Sequence, residues 1–165
     1  IQADRTGSAQ QRWSSSVAAV EYIVSHPLTG AGIGMNILAL NRIRGAAWVE
    51  VHDVYLVYAM ELGIPGLIMF LLLLRGAFKN AHRAKVLSAN DPESADFHYL
   101  AEGIGVSLLA FAVAAFFYPD AYQFYFYYFA GLAAAAKHIA TIPDGKIDAG
   151  PGISFTTGEP EPCRS

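Results

Sequence analysis

Residues 54–74 of the sequence read VYLVYAMELGIPGLIMFLLLL, an apolar run of 21 residues whose one charged side chain is Glu61. A helix of that length would be roughly 32 Å long, which is enough to cross the hydrocarbon core of a bilayer. The run contains Pro65, which has no N–H group and whose ring clashes with the carbonyl of Glu61. We therefore expect a membrane-spanning helix with a kink or break at 61–66.

The composition of the whole chain also indicates a membrane protein. Of the 165 residues, 54% are hydrophobic and 15% are charged, against roughly 25% charged residues in an average soluble domain. The net charge of −3 lacks the basic surface that nucleic-acid binding requires, so nucleic acid is not an expected partner. The single Cys163 excludes an internal disulfide and a thiolate metal site. Because the sequence has neither an initiator Met nor a charged-then-apolar leader, we expect it to be the C-terminal part of a longer protein.

Two further apolar stretches predict two more spans, at 99–118 and 121–141. The Pro119-Asp120 pair would form the turn between them. Ten of the fourteen residues from 116 to 129 are aromatic, which is typical of an interfacial belt at the outer leaflet. The predicted fold class is therefore all-α, a polytopic integral membrane fragment with about three transmembrane helices.

The distribution of charge predicts the topology. Residues 75–98 begin as a helical extension with basic side chains directly after the first span, and the positive-inside rule places this loop in the cytoplasm. Residues 1–53 would then form an external, periplasmic segment. The last stretch, 142–165, is rich in Pro and Gly and is predicted to be a disordered cytoplasmic tail.

The external segment contains an amphipathic helix and a glycine turn. The capping-box spacing from Ser8 to Gln11 predicts a helix that starts there and ends near residue 25, before Pro27. The alternating glycines of 30–34 suit tight turns and a close approach of backbone to another group, a plainer interpretation than a phosphate cradle. Residues 35–51 are expected to form a surface loop or a short helix.

Polar residues that can carry chemistry converge on the predicted outer face. Arginine presents a permanently charged planar fork that suits phosphate or pyrophosphate, and histidine accepts a proton near neutral pH. Spacing alone also allows solvated arginines and an interfacial histidine. No Walker loop, GxSxG, HExxH or paired-cysteine motif is present, and no metal site is predicted. The candidate residues are Arg12, Arg42, Arg44, His52 and Asp53.

Glu61 is physically the most unusual residue, because a carboxyl group inside an apolar span is costly unless it is paired or faces a cavity. We expect it to cap the broken helix or to pair with an arginine from the missing part of the protein, rather than to catalyse. A non-enzymatic transporter or scaffold subunit that uses the broken helix around Glu61 is the alternative function. A transporter would place its polar groups near the midplane of the bilayer.

Four segments of the sequence occur in this order: Arg12-Trp13, HPLTGAG at 26–32, HDVYL at 52–56 and ELGIPGL at 61–67. Together they resemble the C-terminal part of the O-antigen ligase and O-antigen polymerase family. This resemblance implies a GT-C-like membrane glycosyltransferase that works without cofactor or metal. Members of the family transfer a glycan from an undecaprenyl-pyrophosphate carrier to an acceptor hydroxyl outside the bacterial inner membrane. The acceptor is lipid A-core, the growing glycan or a protein side chain, and the sequence does not separate ligase, polymerase and protein O-oligosaccharyltransferase.

The resemblance also implies roles for individual residues. The family's loop arginine falls on Arg12, which would neutralise the pyrophosphate leaving group. Its His-x-x-x-Leu histidine falls on His52, which would act as general base on the acceptor hydroxyl. Further substrate-binding candidates follow from their positions around this predicted site, and they are Arg42, Arg44, Asp53 and Glu61. The family often has Asn where this chain has Asp53, whose charge could raise the basicity of His52 or cap the following helix. A further arginine, from the family's earlier half, has no counterpart here, so the fragment alone is expected to be inactive.

Overall fold

The computed structural model describes residues 5–44, 50–89, 95–118 and 121–142. Within these ranges every regular element is an α-helix, as the sequence predicted. The helices are α1 (Arg5–Ser25), α2 (Asn36–Arg44), α3 (Val54–Ser88), α4 (Ala95–Ala114) and α5 (Phe124–Thr141).

The central element is α3, which packs against each of the other four helices. One core surrounds its first half and is rich in large side chains, among them Met60, Phe70 and Phe126. A second core surrounds its later half and consists mainly of alanines. The core with large side chains holds α1, α2 and the α4–α5 connection against α3. The candidate site lies at this end of the molecule.

Small residues line the second core at helical spacing. Ala77, Ala81 and Ala84 on α3 face Ala133 and Ala136 on α5, and all five are buried. Without large side chains between them the helices can approach closely, which is the usual packing solution inside a membrane.

Two helices, α3 and α4, are long and apolar enough to cross a membrane. Their outward faces expose large apolar side chains such as Leu72 and Leu109, which suits contact with lipid rather than water. The third predicted span coincides with α5, which starts at Phe124 rather than at residue 121. Membrane crossing by α5 stays a prediction.

Two helix boundaries differ from the sequence predictions, and one predicted extension is confirmed. The start of α1 at Ser8 is wrong, because the helix begins at Arg5; the intervening Gly7 costs only about 1 kcal/mol in a helix and does not stop it. The apolar run ending at residue 74 continues as helix to Ser88, which confirms the helical extension. The second span was predicted to reach residue 118 but its helix ends at Ala114.

The early end of α4 has a local cause. The Ala115 carbonyl accepts a hydrogen bond of 2.8 Å from the Val54 N–H at the start of α3, and Phe116 and Phe117 form a tighter turn with i to i+3 hydrogen bonds. The carbonyl is thus used to join α4 to α3. The Pro119-Asp120 turn and the tail from residue 143, with Cys163, lie outside the described residues.

Candidate functional site

The predicted break in α3 is present and is centred on Gly63, whose φ of 72° and ψ of −177° are not helical. Pro65 follows inside the helix and cannot donate a backbone hydrogen bond. The break therefore leaves backbone groups of 60–64 without helical partners, and these groups must be satisfied elsewhere.

The loop after α1 satisfies them. Ala31 N–H donates to the Met60 carbonyl at 2.8 Å, and Gly32 N–H donates to the Glu61 carbonyl at 2.9 Å. In return, Ile64 N–H donates to the carbonyl of Pro27 at 2.8 Å. We call this set of contacts between residues 27–32 and 60–64 the junction. It makes the broken backbone tolerable in an apolar surrounding.

Glycine is required where the two backbones meet. Gly30 has a φ of 62°, and a Cβ atom at that position would collide with the Glu61 carbonyl oxygen. At Gly63 a Cβ atom would lie 2.8 Å from the Leu28 carbonyl oxygen. The prediction that the glycine turn permits a close backbone approach is confirmed, and the group approached is the break in α3.

The Glu61 side chain is fully buried and accepts three hydrogen bonds. Asn36 donates to Oε1 from its side-chain Nδ2 at 2.6 Å and from its backbone N–H at 3.3 Å. The Tyr122 hydroxyl donates to Oε2 at 2.6 Å. Because Asn36 is the first residue of α2, the carboxyl group connects three elements: α2, α3 and the α4–α5 connection. The expected structural pairing of this carboxyl group is present, but the partners are an asparagine and a tyrosine of this chain rather than an arginine.

His52 precedes α3 and is half-buried. Its Nδ1 lies 3.0 Å from the Glu50 carbonyl oxygen. A carbonyl oxygen only accepts hydrogen bonds, so Nδ1 carries the proton and Nε2 of the neutral ring is left as an acceptor. The imidazole is therefore held in the tautomer that a general base requires.

Asp53 caps α3. Its Oδ1 accepts from the backbone N–H groups of Tyr55 at 2.8 Å and Leu56 at 3.1 Å. Burial raises the pKa of the Asp53 carboxyl above its usual 3.8, and the two backbone hydrogen bonds act in the opposite direction. Of the two roles that the sequence left open for Asp53, the described contacts are those of the helix cap.

The candidate arginines lie on two helices, Arg12 on α1 and Arg42 and Arg44 on α2. Arg12 is exposed on α1, where its carbonyl accepts a bond of 3.1 Å from the Ser16 hydroxyl. Arg42 lines a groove of about 450 Å³ together with His26. Arg44 ends α2, and its side chain lies outside the described residues. No hydrogen bond or ion pair among the described residues joins Arg12 or Arg42 to His52.

A cleft of about 470 Å³ opens beside Glu61. Asn36, Glu50, Tyr122 and Gln123 contribute its polar lining. Sequence reasoning did not single out these four residues, because they belong to no motif and are distant in sequence. The nearest signal was the cost of burying Glu61, which demands polar partners without identifying them.

The described part of the chain contains no group of three or more His, Cys, Asp or Glu side chains placed to hold a metal ion. Its described ion pairing is equally sparse and lies far along α3, where Lys85 contacts Glu102 at 2.6 Å.

Comparison with known proteins gives one result. No curated protein and no solved structure matches the chain. The family model described as O-antigen ligase matches residues 1–71, a range that includes α1, the junction, His52 and the break in α3. Over residues 1–71 this match agrees with the resemblance to O-antigen ligases that the four motifs indicated.

Proposed function

We propose that the chain is part of a membrane glycosyltransferase that transfers a glycan from an undecaprenyl-pyrophosphate carrier to an acceptor hydroxyl. The transfer takes place at the external face of the bacterial inner membrane, with α5 as a third span and the loop between α3 and α4 in the cytoplasm. The match to O-antigen ligases over residues 1–71 supports the reaction class.

The observation that carries the proposal is the fixed tautomer of His52. With Nδ1–H donated to the Glu50 carbonyl at 3.0 Å, Nε2 accepts the proton of the acceptor hydroxyl. The acceptor oxygen then attacks the anomeric carbon of the donor sugar. The bond from that carbon to the phosphate oxygen breaks, and the polyprenyl pyrophosphate leaves with the bonding electron pair.

The arginines supply positive charge for the leaving group. Arg12 is exposed and makes no ion pair within the described residues, so its guanidinium is available for a pyrophosphate. Arg42 offers a second unpaired guanidinium at the 450 Å³ groove. Arg44 follows it by two residues in the sequence and remains a further candidate.

The contacts of Glu61 weigh against the transporter alternative. Both carboxyl oxygens accept hydrogen bonds within the chain, and the junction occupies the backbone groups that the break exposes. An ion or substrate site at a broken helix instead uses such groups for its ligand.

The test is complementation in cells that lack the native gene. The full-length protein would be supplied with Arg12→Ala or His52→Ala, and the surface glycan would be read on a gel alongside the level of the protein in membranes. We expect both variants to lose transferred glycan at normal protein level. The length distribution of residual glycan separates ligase from polymerase.

Matched controls lie on the far part of α3. Arg83 and His82 are exposed there, so Arg83→Ala and His82→Ala remove the same residue types away from the candidate site and should keep full glycan output. Full output from Arg12→Ala and His52→Ala would contradict the transferase proposal.

A further inference from the structure

We propose that the 470 Å³ cleft beside Glu61 binds a sugar ring through the free hydroxyl groups of the sugar. This inference rests on the proposed function, since it assigns one part of the substrate to a place in the site. The cleft lies between the start of α2, the residues that precede α3, and the α4–α5 connection.

The chemistry of the cleft selects a neutral, hydroxyl-rich group. The residues that contribute polar groups to its lining are Asn36, Gln123, Glu50, Glu61 and Tyr122, of which Glu61 is fully buried and already accepts hydrogen bonds from Asn36 and Tyr122. Among the side chains that the structure describes, no arginine, lysine or histidine lines the cleft. Amides and carboxyls accept and donate hydrogen bonds to hydroxyl groups, whereas a pyrophosphate would meet carboxyl groups without a compensating cation.

Asn36 provides an unused acceptor at the wall of the cleft. The residue is 8% exposed, and its Nδ2 is committed to Glu61 Oε1 at 2.6 Å. This bond sets the orientation of the amide, because a flipped amide would place Asn36 Oδ1 against Glu61 Oε1, and both oxygens are acceptors. Its Oδ1 is buried and has no hydrogen-bond partner among the described residues. Buried acceptors are rarely left unpaired in folded proteins, and a hydroxyl entering from the cleft would supply the missing donor.

Gln123 and Phe124 add an amide and an aromatic ring at the same cleft. Gln123 is the N-cap residue of α5, yet its side chain makes no capping hydrogen bond, so within the described part of the chain its amide is available to a ligand. Phe124 is 63% exposed and lines the cleft. An aromatic ring beside polar groups that fix orientation is the usual lining of a small-molecule site.

Glu50 connects the cleft to the base. Its side chain lines the cleft, and its carbonyl holds His52 Nδ1. A sugar ring in the cleft would thus be bound by the same residue that orients the imidazole.

The experiment measures binding without turnover. Oligosaccharide released by mild acid from the host's own surface polysaccharide is the probe, and saturation-transfer NMR detects its binding to the full-length protein in detergent. We expect binding by the wild type and by His52→Ala, and about tenfold weaker binding by Gln123→Ala, because one lost hydrogen-bonding partner is worth about a factor of ten. Phe124→Leu should weaken binding as well.

Two control variants and a competitor make the result specific. Asn80→Ala and Phe117→Leu remove an amide and an exposed ring that do not line the cleft, and both should bind normally. Inorganic pyrophosphate should not displace the oligosaccharide. Equal binding by Gln123→Ala and wild type, at equal thermal stability, would overturn the sugar assignment, as would displacement by pyrophosphate. Because binding is read in His52→Ala too, this outcome is distinguishable from a failure of the transferase proposal.

Discussion

The Tyr122 hydroxyl donates a hydrogen bond of 2.6 Å to Oε2 of Glu61, which joins the connection between α4 and α5 to the break in α3. Glu61 and Tyr122 are 61 residues apart in the sequence. The bond thereby connects the segment that leads into α5 with the part of the molecule that matches the O-antigen ligase model.

Tyr122→Phe removes this bond without changing the packing of the ring. It leaves Oε2 of a fully buried carboxyl group without its partner, which costs about 1 to 3 kcal/mol. We expect a lower midpoint of thermal unfolding for the full-length protein in detergent. Tyr118→Phe is the control, since Tyr118 is 59% exposed; equal midpoints for the two variants would contradict the role of the bond.

Gly30→Ala should prevent the junction from forming. The added Cβ atom would collide with the Glu61 carbonyl, and the φ of 62° is strained for alanine, so we expect little folded protein in membranes. Gly76→Ala meets no atom within 4 Å and should be tolerated, since alanine is the better helix former by about 1 kcal/mol. Normal amounts of folded Gly30→Ala protein would argue against the junction.

Asp53→Ala should destabilise the start of α3, because loss of an N-cap side chain costs about 0.5 to 2 kcal/mol. Asp53→Asn keeps a capping oxygen and should retain stability at neutral pH. Thermal unfolding of both variants beside the wild type checks this. A deficit in Asp53→Asn as large as in Asp53→Ala would show that the charge matters rather than the cap.

The raised pKa of Asp53 also predicts a pH dependence. Between its ordinary 3.8 and the higher folded-state pKa, the folded protein binds more protons than the unfolded chain, so this group makes stability fall as pH rises through that window. Asp53→Asn removes that contribution. Unfolding midpoints from pH 3.5 upward, compared between wild type and Asp53→Asn, measure it; identical slopes would contradict the burial of the carboxyl.

Ala133→Leu should disturb the seam between α3 and α5. Ala133 is fully buried, and overfilling a packed core costs about 1 to 3 kcal/mol. Ala135→Leu adds the same atoms at an exposed position of the same helix. We expect a lower unfolding midpoint for the first variant and no loss for the second, and the reverse order would place the helix interface elsewhere.

Local sequence signals predicted the helices and the break, because proline geometry and apolar runs act within a few residues of the chain. The sequence thus placed the break near Glu61 and the end of α1 near residue 25. It did not predict that Asn36 and Tyr122 would bind Glu61. Those contacts depend on how three separate elements pack, and neither residue carries a local mark of its partner.

The resemblance to O-antigen ligases identified His52, but the tautomer of its ring depends on the Glu50 carbonyl, which any residue at position 50 would provide. The side chain of Glu50 matters only at the cleft. For Asp53 the sequence allowed two roles, and the hydrogen bonds to Tyr55 and Leu56 separate them. The orientation of the His52 ring and the capping role of Asp53 thus depend on backbone groups, which residue types alone do not specify.

The junction has a consequence for chimaeras made from this chain and a similar protein. Residues 27–32 and 60–64 exchange hydrogen bonds in both directions. Each segment has a glycine at a position where the backbone of the other segment leaves no room for a Cβ atom. The two segments should therefore be exchanged together. A chimaera with its crossover point between them would combine segments from different parent proteins. A crossover before residue 27 or after residue 64 would take both segments from a single parent.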